Sequence, residues 1–456
     1  MPEKSSNFLR HLLGQMAEQG RGLIEWARRP AATRSLTETP LAELVRLLLS
    51  TRGEASGVVI AREIMTRYAA LPKPERLGFL AVLAREFSAD PARIREAYEA
   101  YEREPGEDNL YRLGQAVEPA RQDALRRLNL APGNTLGLVR MREDLLEADV
   151  RDPALRGLDR DFVHLFASWF NRGFLMVRRI DWSSPAHILE KIIRYEAVHE
   201  IRSWEDLRRR IDPPDRRCYA FFHPALVDEP LIFVEVALMS DMPAAIEPIL
   251  AEKRDPLSPE MATCAVFYSI SNCQKGLSAI SFGNFLIKQV VEELRRDLPG
   301  LSRFVTLSPV PGFRVFVERE RQDPASIYLD AADRALLADY ESEGADAHDL
   351  AAFSAMTERL LARYFLEART PNGRVIDPVA RFHLGNGARL ERLNPLADFS
   401  QKGWRDSYAA MVNYLYDLDQ IEENHEKYAI RGLVAASASV QEAALPARGR
   451  SRARAS

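Results

Sequence analysis

Ala265-Val-Phe-Tyr-Ser-Ile-Ser271 is a run of apolar, β-branched and aromatic residues of the right length for one buried strand. Asn272-Cys-Gln-Lys-Gly-Leu-Ser-Ala-Ile-Ser281 follows, and then Phe282-Gly-Asn-Phe-Leu-Ile-Lys-Gln-Val-Val-Glu-Glu-Leu294. In the last segment Phe282, Leu286, Val290, Leu294 and Leu298 recur four apart, which predicts an amphipathic helix. Between strand and helix lie Gly276, Ser278, Ala279, Ser281 and Gly283. Small side chains let backbone N–H groups approach a ligand, and a helix start offers unpaired donors at the positive end of its dipole. A pyrophosphate suits such a loop. A tight strand-to-helix turn without a ligand has the same spacing, and the loop matches neither a Walker A nor a dinucleotide fingerprint.

Downstream, Ser302-Arg-Phe-Val-Thr-Leu-Ser-Pro-Val-Pro-Gly-Phe313 reads as a strand ending at Leu307. Ser308 stands at its tip, pinned by Pro309 and Pro311, because each proline fixes its own φ and biases its predecessor to an extended shape. A plain turn serine is the other reading. His383 lies in Ala380-Arg-Phe-His-Leu-Gly-Asn-Gly-Ala388, read as a short strand running into a turn. His164, among apolar residues, reads as a core histidine. His223 ends an aromatic strand, and His11, His187, His199, His348 and His425 read as surface residues.

Further β-rich segments are Cys218–Phe222, Leu231–Met239 and Phe304–Leu307, with helices at Ile188–Val198 and Trp204–Arg210. Strands alternating with helices imply a mixed α/β domain. The basic cluster Arg208, Arg209, Arg210, Arg216 and Arg217 suits either solvent or a phosphate group. Before about residue 180 the text is helical: Ile60, Ile64 and Tyr68 recur four apart, Pro72 and Pro74 break one helix pair, and Asp90 is placed to cap a helix starting at Pro91. From Gly432 the chain is Ala-rich and then basic, through Arg448, Arg450, Arg452 and Arg454, which predicts a disordered tail. The class is therefore α+β, with an all-helical domain over 1–183, a mixed α/β domain over 184–431 and the tail over 432–456.

The 456 residues exceed what one core usually supports. A net charge of −4 argues against a protein that coats nucleic acid, and the basic clusters lack interleaved aromatics. Three cysteines, Cys218, Cys264 and Cys273, form no CxxC pair, so neither a disulfide framework nor a structural zinc site is expected. No apolar run approaches the ~18 residues of a membrane span. Glu3, Glu18 and Glu25 interrupt the early arginines, unlike a transit peptide, and Arg454-Ala455-Ser456 is not a peroxisomal signal. A cytoplasmic location is expected.

From about Tyr195 to Tyr416 the sequence resembles the malonyl-CoA decarboxylase family. The resemblance is carried by Glu196-Ala-Val-His199, Trp204, Arg217-Cys-Tyr219 with His223, Glu229-Pro-Leu231, Phe267-Tyr-Ser-Ile-Ser271 and Gly283–Ile287. It continues in Ser308-Pro-Val-Pro-Gly-Phe313, Pro378-Val-Ala380, Phe382-His-Leu384, Asn386-Gly-Ala388 and Asn413-Tyr414 with Tyr416. It implies a catalytic domain of the GNAT acetyltransferase type behind a helical domain that mediates homo-oligomerisation as dimer or tetramer. It also implies that Ser308 and His383 form the reactive pair, with Ser269 and Tyr416 near the active centre. Ser278, Ala279, Ile280, Ser281, Phe282, Gly283 and Asn284 are implied to hold the coenzyme. Where animal members carry a carboxylate this chain has Ser281.

The implied substrate is malonyl-CoA, the products are acetyl-CoA and carbon dioxide, and fatty acid metabolism is the setting. The thioester carbonyl is itself an electron sink, so the chemistry requires no metal and no organic cofactor. His383 is expected to act as general acid–base near physiological pH, with Ser308 either as its hydrogen-bonding partner on the carboxylate or enolate or as a transient nucleophile. A GNAT-fold acyltransferase, which needs an acceptor, is the alternative, followed by a non-catalytic malonyl-CoA sensor.

Overall fold

The computed structural model describes residues 36–51, 53–148, 152–280, 286–343 and 350–445. The central strand of its sheet is β4 (Cys264–Asn272), built on the apolar run quoted above. With β2 (Arg216–Phe222) and β3 (Pro230–Met239) it is buried along nearly its whole length, so these strands are rich in apolar residues on both faces rather than alternating apolar and polar. Outside β2 lies β1 (Met176–Ile180), and β1 to β4 pair antiparallel in order. β5 (Arg303–Thr306) then joins β4 in parallel. β8 (Met411–Leu415) pairs antiparallel with β5, with the short β6 (Ser308–Pro309) and with β7 (Arg389–Asn394).

The antiparallel register slips three times. One slip falls between Glu235 and Val236, where Tyr268 is the extra residue on β4. A bulge of this kind bends a strand and re-aims its side chains. Helices Ala186–Tyr195 and Trp204–Ile211 cover one core, in which Ile188, Ile192 and Leu207 pack on Cys218, Ala220 and Phe233. A second core gathers Val266, Tyr268, Val305, Leu307 and Met411. All three cysteines are buried and unbridged.

Among the described residues, eight helices of ten or more residues run from Leu41 to Trp169. Asp90 caps the helix Pro91–Arg103 by accepting the Ala92 N–H at 2.9 Å, as its place before Pro91 implies. Ile60, Ile64 and Tyr68 form the buried stripe of Glu54–Ala70. This α+β order, helices first and mixed sheet second, is the one read from the sequence.

The chain separates into two units, of which the first holds the residues to Asn171 together with 224–227 and 274–280. The second begins at Arg172, so residues 172–183 do not belong to the helices: β1 pairs with β2 over five residues, from Met176↔Phe222 to Ile180↔Cys218. The expected disordered tail also needs correction. Residues 438–444 form a helix capped by Ser437, and its buried Val440 and Ala443 pack on the helix Leu350–Leu366 and on β7. Residues 446–456, with their four arginines, lie outside the described residues.

His164 is exposed. The helix Pro153–Trp169 buries Leu158, Phe162, Leu165 and Phe166, and His164 falls on the opposite face. Of the basic cluster, Arg210, Arg216 and Arg217 are buried. Arg210 donates to the His199 carbonyl at 2.7 Å and lies 3.5 Å from the Glu235 carboxylate, while Arg216 donates to the Ile249 carbonyl at 2.8 Å.

Candidate active site

β5 ends at Thr306, and Ser308 begins β6, pairing with Val412. Ser308 is buried, and its hydroxyl donates to Thr306 Oγ1 at 2.8 Å. The same Thr306 oxygen accepts the Tyr414 N–H at 3.2 Å, and Asn413 Nδ2 donates to the Thr306 carbonyl at 2.8 Å. The serine therefore sits on a backbone fixed from both sides by β8.

His383 lies in the last turn of the helix Pro378–Gly385, not in a strand. Asp377 caps that helix, accepting the Ala380 N–H at 2.7 Å, and Pro378 occupies its first turn, where a missing N–H costs nothing. The other carboxylate oxygen, Oδ2, is buried and accepts no hydrogen bond from the described residues. Burial pushes Asp377 up to about 6.

The imidazole stacks on Tyr414, with centroids 4.5 Å apart and planes 25° off parallel. Its Nδ1 lies 2.8 Å from Tyr416 Oη, and its Nε2 lies 3.1 Å from Ser308 Oγ. Burial pushes the ring down to about 3 and the Tyr416 phenol well above its ordinary range. The resting ring is consequently neutral, and the expectation that it titrates near physiological pH is corrected by desolvation. Since the Ser308 proton points to Thr306, Ser308 accepts from Nε2–H, and Nδ1 accepts from Tyr416 O–H. The relay runs Tyr416 to His383 to Ser308 to Thr306. It borders a cavity of about 270 Å³ lined also by Val198, Phe267, Tyr268, Ile270, Leu307 and Val379. A short apolar acyl group with one polar end suits it.

The profile of the malonyl-CoA decarboxylase C-terminal domain matches residues 173–455, and that of the N-terminal domain matches 87–170. The chain belongs to the malonyl-CoA decarboxylase family. The mitochondrial malonyl-CoA decarboxylase of Anser anser anser is 35% identical over 388 residues, covering 77% of this chain and 76% of its own. That of Rattus norvegicus is 36% identical over 343 residues, covering 70% and 69%. The crystal structure of malonyl-CoA decarboxylase from Rhodopseudomonas palustris is 55% identical, with a TM-score of 0.85 over 88% of this chain and 98% of that one. That from Agrobacterium vitis is 54% identical, with a TM-score of 0.85 over 90% and 100%.

Of the residues the decarboxylase resemblance singled out, Ser308, His383 and Tyr416 meet in one hydrogen-bonded chain. Ser269 does not join them. Its hydroxyl donates to the buried Glu196 carboxylate at 2.7 Å, where Ser271 Oγ and the N–H groups of Val198 and His199 also converge. Glu196 thus fixes the backbone beside Val198 on the cavity wall. His199 is not a surface residue: it is largely enclosed, and burial pushes it down to about 4.

Ser278, Ala279 and Ile280 follow a short turn at Lys275–Leu277. Ser278 and Ala279 are exposed while Gly276, Leu277 and Ile280 are buried. Ala279 holds a φ of 65°, a left-handed conformation that costs a residue with a Cβ ~1–2 kcal/mol. Ser281, Phe282, Gly283 and Asn284 lie outside the described residues. Sequence reasoning missed Thr306 and Asp377, and it quoted Glu196 and Tyr414 only as carriers of the resemblance, without a role at the site. For Asp377 the signal was present, because Asp377-Pro378 repeats the Asp90-Pro91 pair that starts a helix.

Proposed function

We propose that the chain decarboxylates malonyl-CoA to acetyl-CoA and carbon dioxide through the buried Tyr416–His383–Ser308 relay, without a metal or organic cofactor. The observation that carries this reading is the 3.1 Å contact between Ser308 Oγ and a neutral, fully desolvated His383 Nε2 on the cavity wall. Breaking the bond between Cα and the carboxylate carbon releases carbon dioxide and leaves the electron pair on the thioester as an enolate. Nε2–H and the Ser308 hydroxyl, which in the resting site donate to Ser308 Oγ and Thr306 Oγ1, turn to that enolate oxygen as the substrate enters.

Neutrality of the ring matters here. An imidazolium would clasp the substrate carboxylate as strongly as the transition state, and binding both equally does not speed the chemical step. Once negative charge has moved onto the enolate beside it, the ring becomes more basic. Nδ1 then takes up a solvent proton, the Tyr416 hydroxyl turns from donor to acceptor, and Nε2–H passes its proton to Cα. This restores a neutral ring and yields acetyl-CoA.

Ser278, Ala279 and Ile280, with Ser281 to Asn284, are proposed to hold the coenzyme, since the exposed small residues Ser278 and Ala279 leave the backbone open to phosphate. Homo-oligomerisation through the helical unit is proposed from the helices Pro91–Arg103 and Glu107–Val117, which leave Tyr98, Leu110, Tyr111 and Val117 exposed. Among the described residues no helix is long and apolar enough to cross a membrane. The cytoplasmic location is a proposal, as is the setting in fatty acid metabolism. Incubation with malonyl-CoA and no acceptor tests the reaction: acetyl-CoA and carbon dioxide are expected in equal amounts. Acyl transfer that appears only when an amine is supplied would establish the acyltransferase instead.

A further inference from the structure

We propose that Arg142, on the helix Asn134–Leu146, is a positioning residue for the loop 274–280 and thereby sets the affinity for malonyl-CoA. The inference rests on the reading of Ser278–Ile280 as coenzyme-holding residues. Arg142 is 1% exposed, among the most completely buried of the large side chains. Its Nε donates to Asp159 Oδ1 at 2.9 Å, which balances the charge. Its Nη1 donates to two backbone carbonyls of the loop, Gly276 O at 2.8 Å and Ser278 O at 2.7 Å.

Those two carbonyls bracket Leu277 and directly precede Ala279, the residue held at positive φ. The inner side of the loop is closed as well: a Cβ on Gly276 would stand 2.0 Å from the Val139 carbonyl, so helix and loop backbones touch. One face of the loop is therefore fastened by Arg142 and Val139, and the other presents Ser278 and Ala279 outward. An ion pair with Asp159 alone would not need Nη1 aimed at two carbonyls. A lysine offers a point charge on a flexible stem and cannot span Asp159 and both carbonyls in one plane. Without the guanidinium, Ala279 has less to hold it in the left-handed region, and the loop loses the shape that meets the coenzyme.

The test is steady-state decarboxylation and acetyl-CoA binding by the full chain carrying Arg142→Lys. The expected result is a KM for malonyl-CoA and a Kd for acetyl-CoA raised about tenfold, with kcat within about threefold of the parent. Adding Ala279→Gly to Arg142→Lys is expected to return KM toward the parent value, because glycine adopts positive φ without strain. A merely structural arginine would lower the melting temperature without separating KM from kcat and without that rescue. If Arg142→Lys does not fold, Asp159→Asn, which removes only the orienting carboxylate, is expected to raise KM about threefold. Parent values of KM and Kd in Arg142→Lys, or in Asp159→Asn where that variant is the one available, overturn the proposal. Should the parent chain itself bind no acetyl-CoA, the coenzyme reading fails and this inference with it. Parent binding that Arg142→Lys leaves unmoved rejects Arg142 alone.

Discussion

Replacing Tyr416 with phenylalanine removes one oxygen and keeps the ring that lies 6.4 Å from Phe267. The missing hydroxyl is the group 2.8 Å from Nδ1 of His383, inside a site where both side chains are buried. Two outcomes are open to the imidazole. It can keep its proton on Nε2, leaving Nδ1 buried without that donor at a cost of ~1–3 kcal/mol. Alternatively it can move the proton to Nδ1, in which case Nε2 becomes an acceptor and draws the Ser308 proton away from Thr306. The first weakens the fold and the second removes the Nε2–H donor that the enolate needs. Expressed in the barrier, ~1–3 kcal/mol is a loss of roughly 5- to 150-fold in kcat. Tyr416 is not among the cavity-lining residues, so KM should stay close to the parent value. The assay is initial-rate formation of acetyl-CoA from malonyl-CoA, on protein whose circular dichroism matches the parent. A folded Tyr416→Phe variant with kcat within about twofold of the parent refutes the tautomer argument.

Asp377→Ala should lower stability by about 1–2 kcal/mol through loss of the helix cap, measured as a shift in denaturant midpoint. It should also lower kcat, because the cap fixes the first turn of the helix that carries His383. Glu235, pushed up to about 8 by burial, gives a signed pH effect. Its folded pKa lies above the ordinary 4.5, so its contribution is fully present below pH 4.5 and is lost as pH rises through about 8. His383 and His199, both pushed down, act in the opposite sense and only below about pH 6.5. Unfolding midpoints should therefore fall between pH 6.5 and 8 in the parent, by at most about 1.4 kcal/mol per pH unit. Glu235→Gln should flatten that slope, and an unchanged slope would show that another group carries it.

The sequence made the sheet core legible because β2, β3 and β4 each carry a long stretch of apolar and aromatic residues, and a buried strand announces itself by local composition. Helices before residue 170 were equally readable from their four-residue stripes and from Asp90-Pro91. β1 was not: Met-Val-Arg-Arg-Ile is short, lies at the sheet edge and carries two arginines, so only pairing with β2 reveals it. Ala438–Ala444 was missed for a related reason. Two small buried residues suffice when a helix and a strand distant in sequence supply the rest of the contact. At the site, Ser308 was held by its prolines and could be singled out locally. Ser269 was singled out with it, yet it bonds to Glu196, 73 residues earlier, a pairing no local pattern encodes. The ring state of His383 depends on burial among groups distant in sequence, Ser308, Tyr414 and Tyr416, which is why a reading from residue type alone placed its titration too high.

Ser308 and His383 are held here to act as one device, which a double-mutant comparison of kcat addresses most directly. If Ser308→Ala and His383→Ala each remove most turnover while acetyl-CoA still binds, the double variant should be little worse than either single one, as expected of residues that work as a unit. Losses that multiply in the double variant, or normal turnover in either single variant, would mean that the two side chains serve separate purposes and that the chemistry lies elsewhere in the cavity.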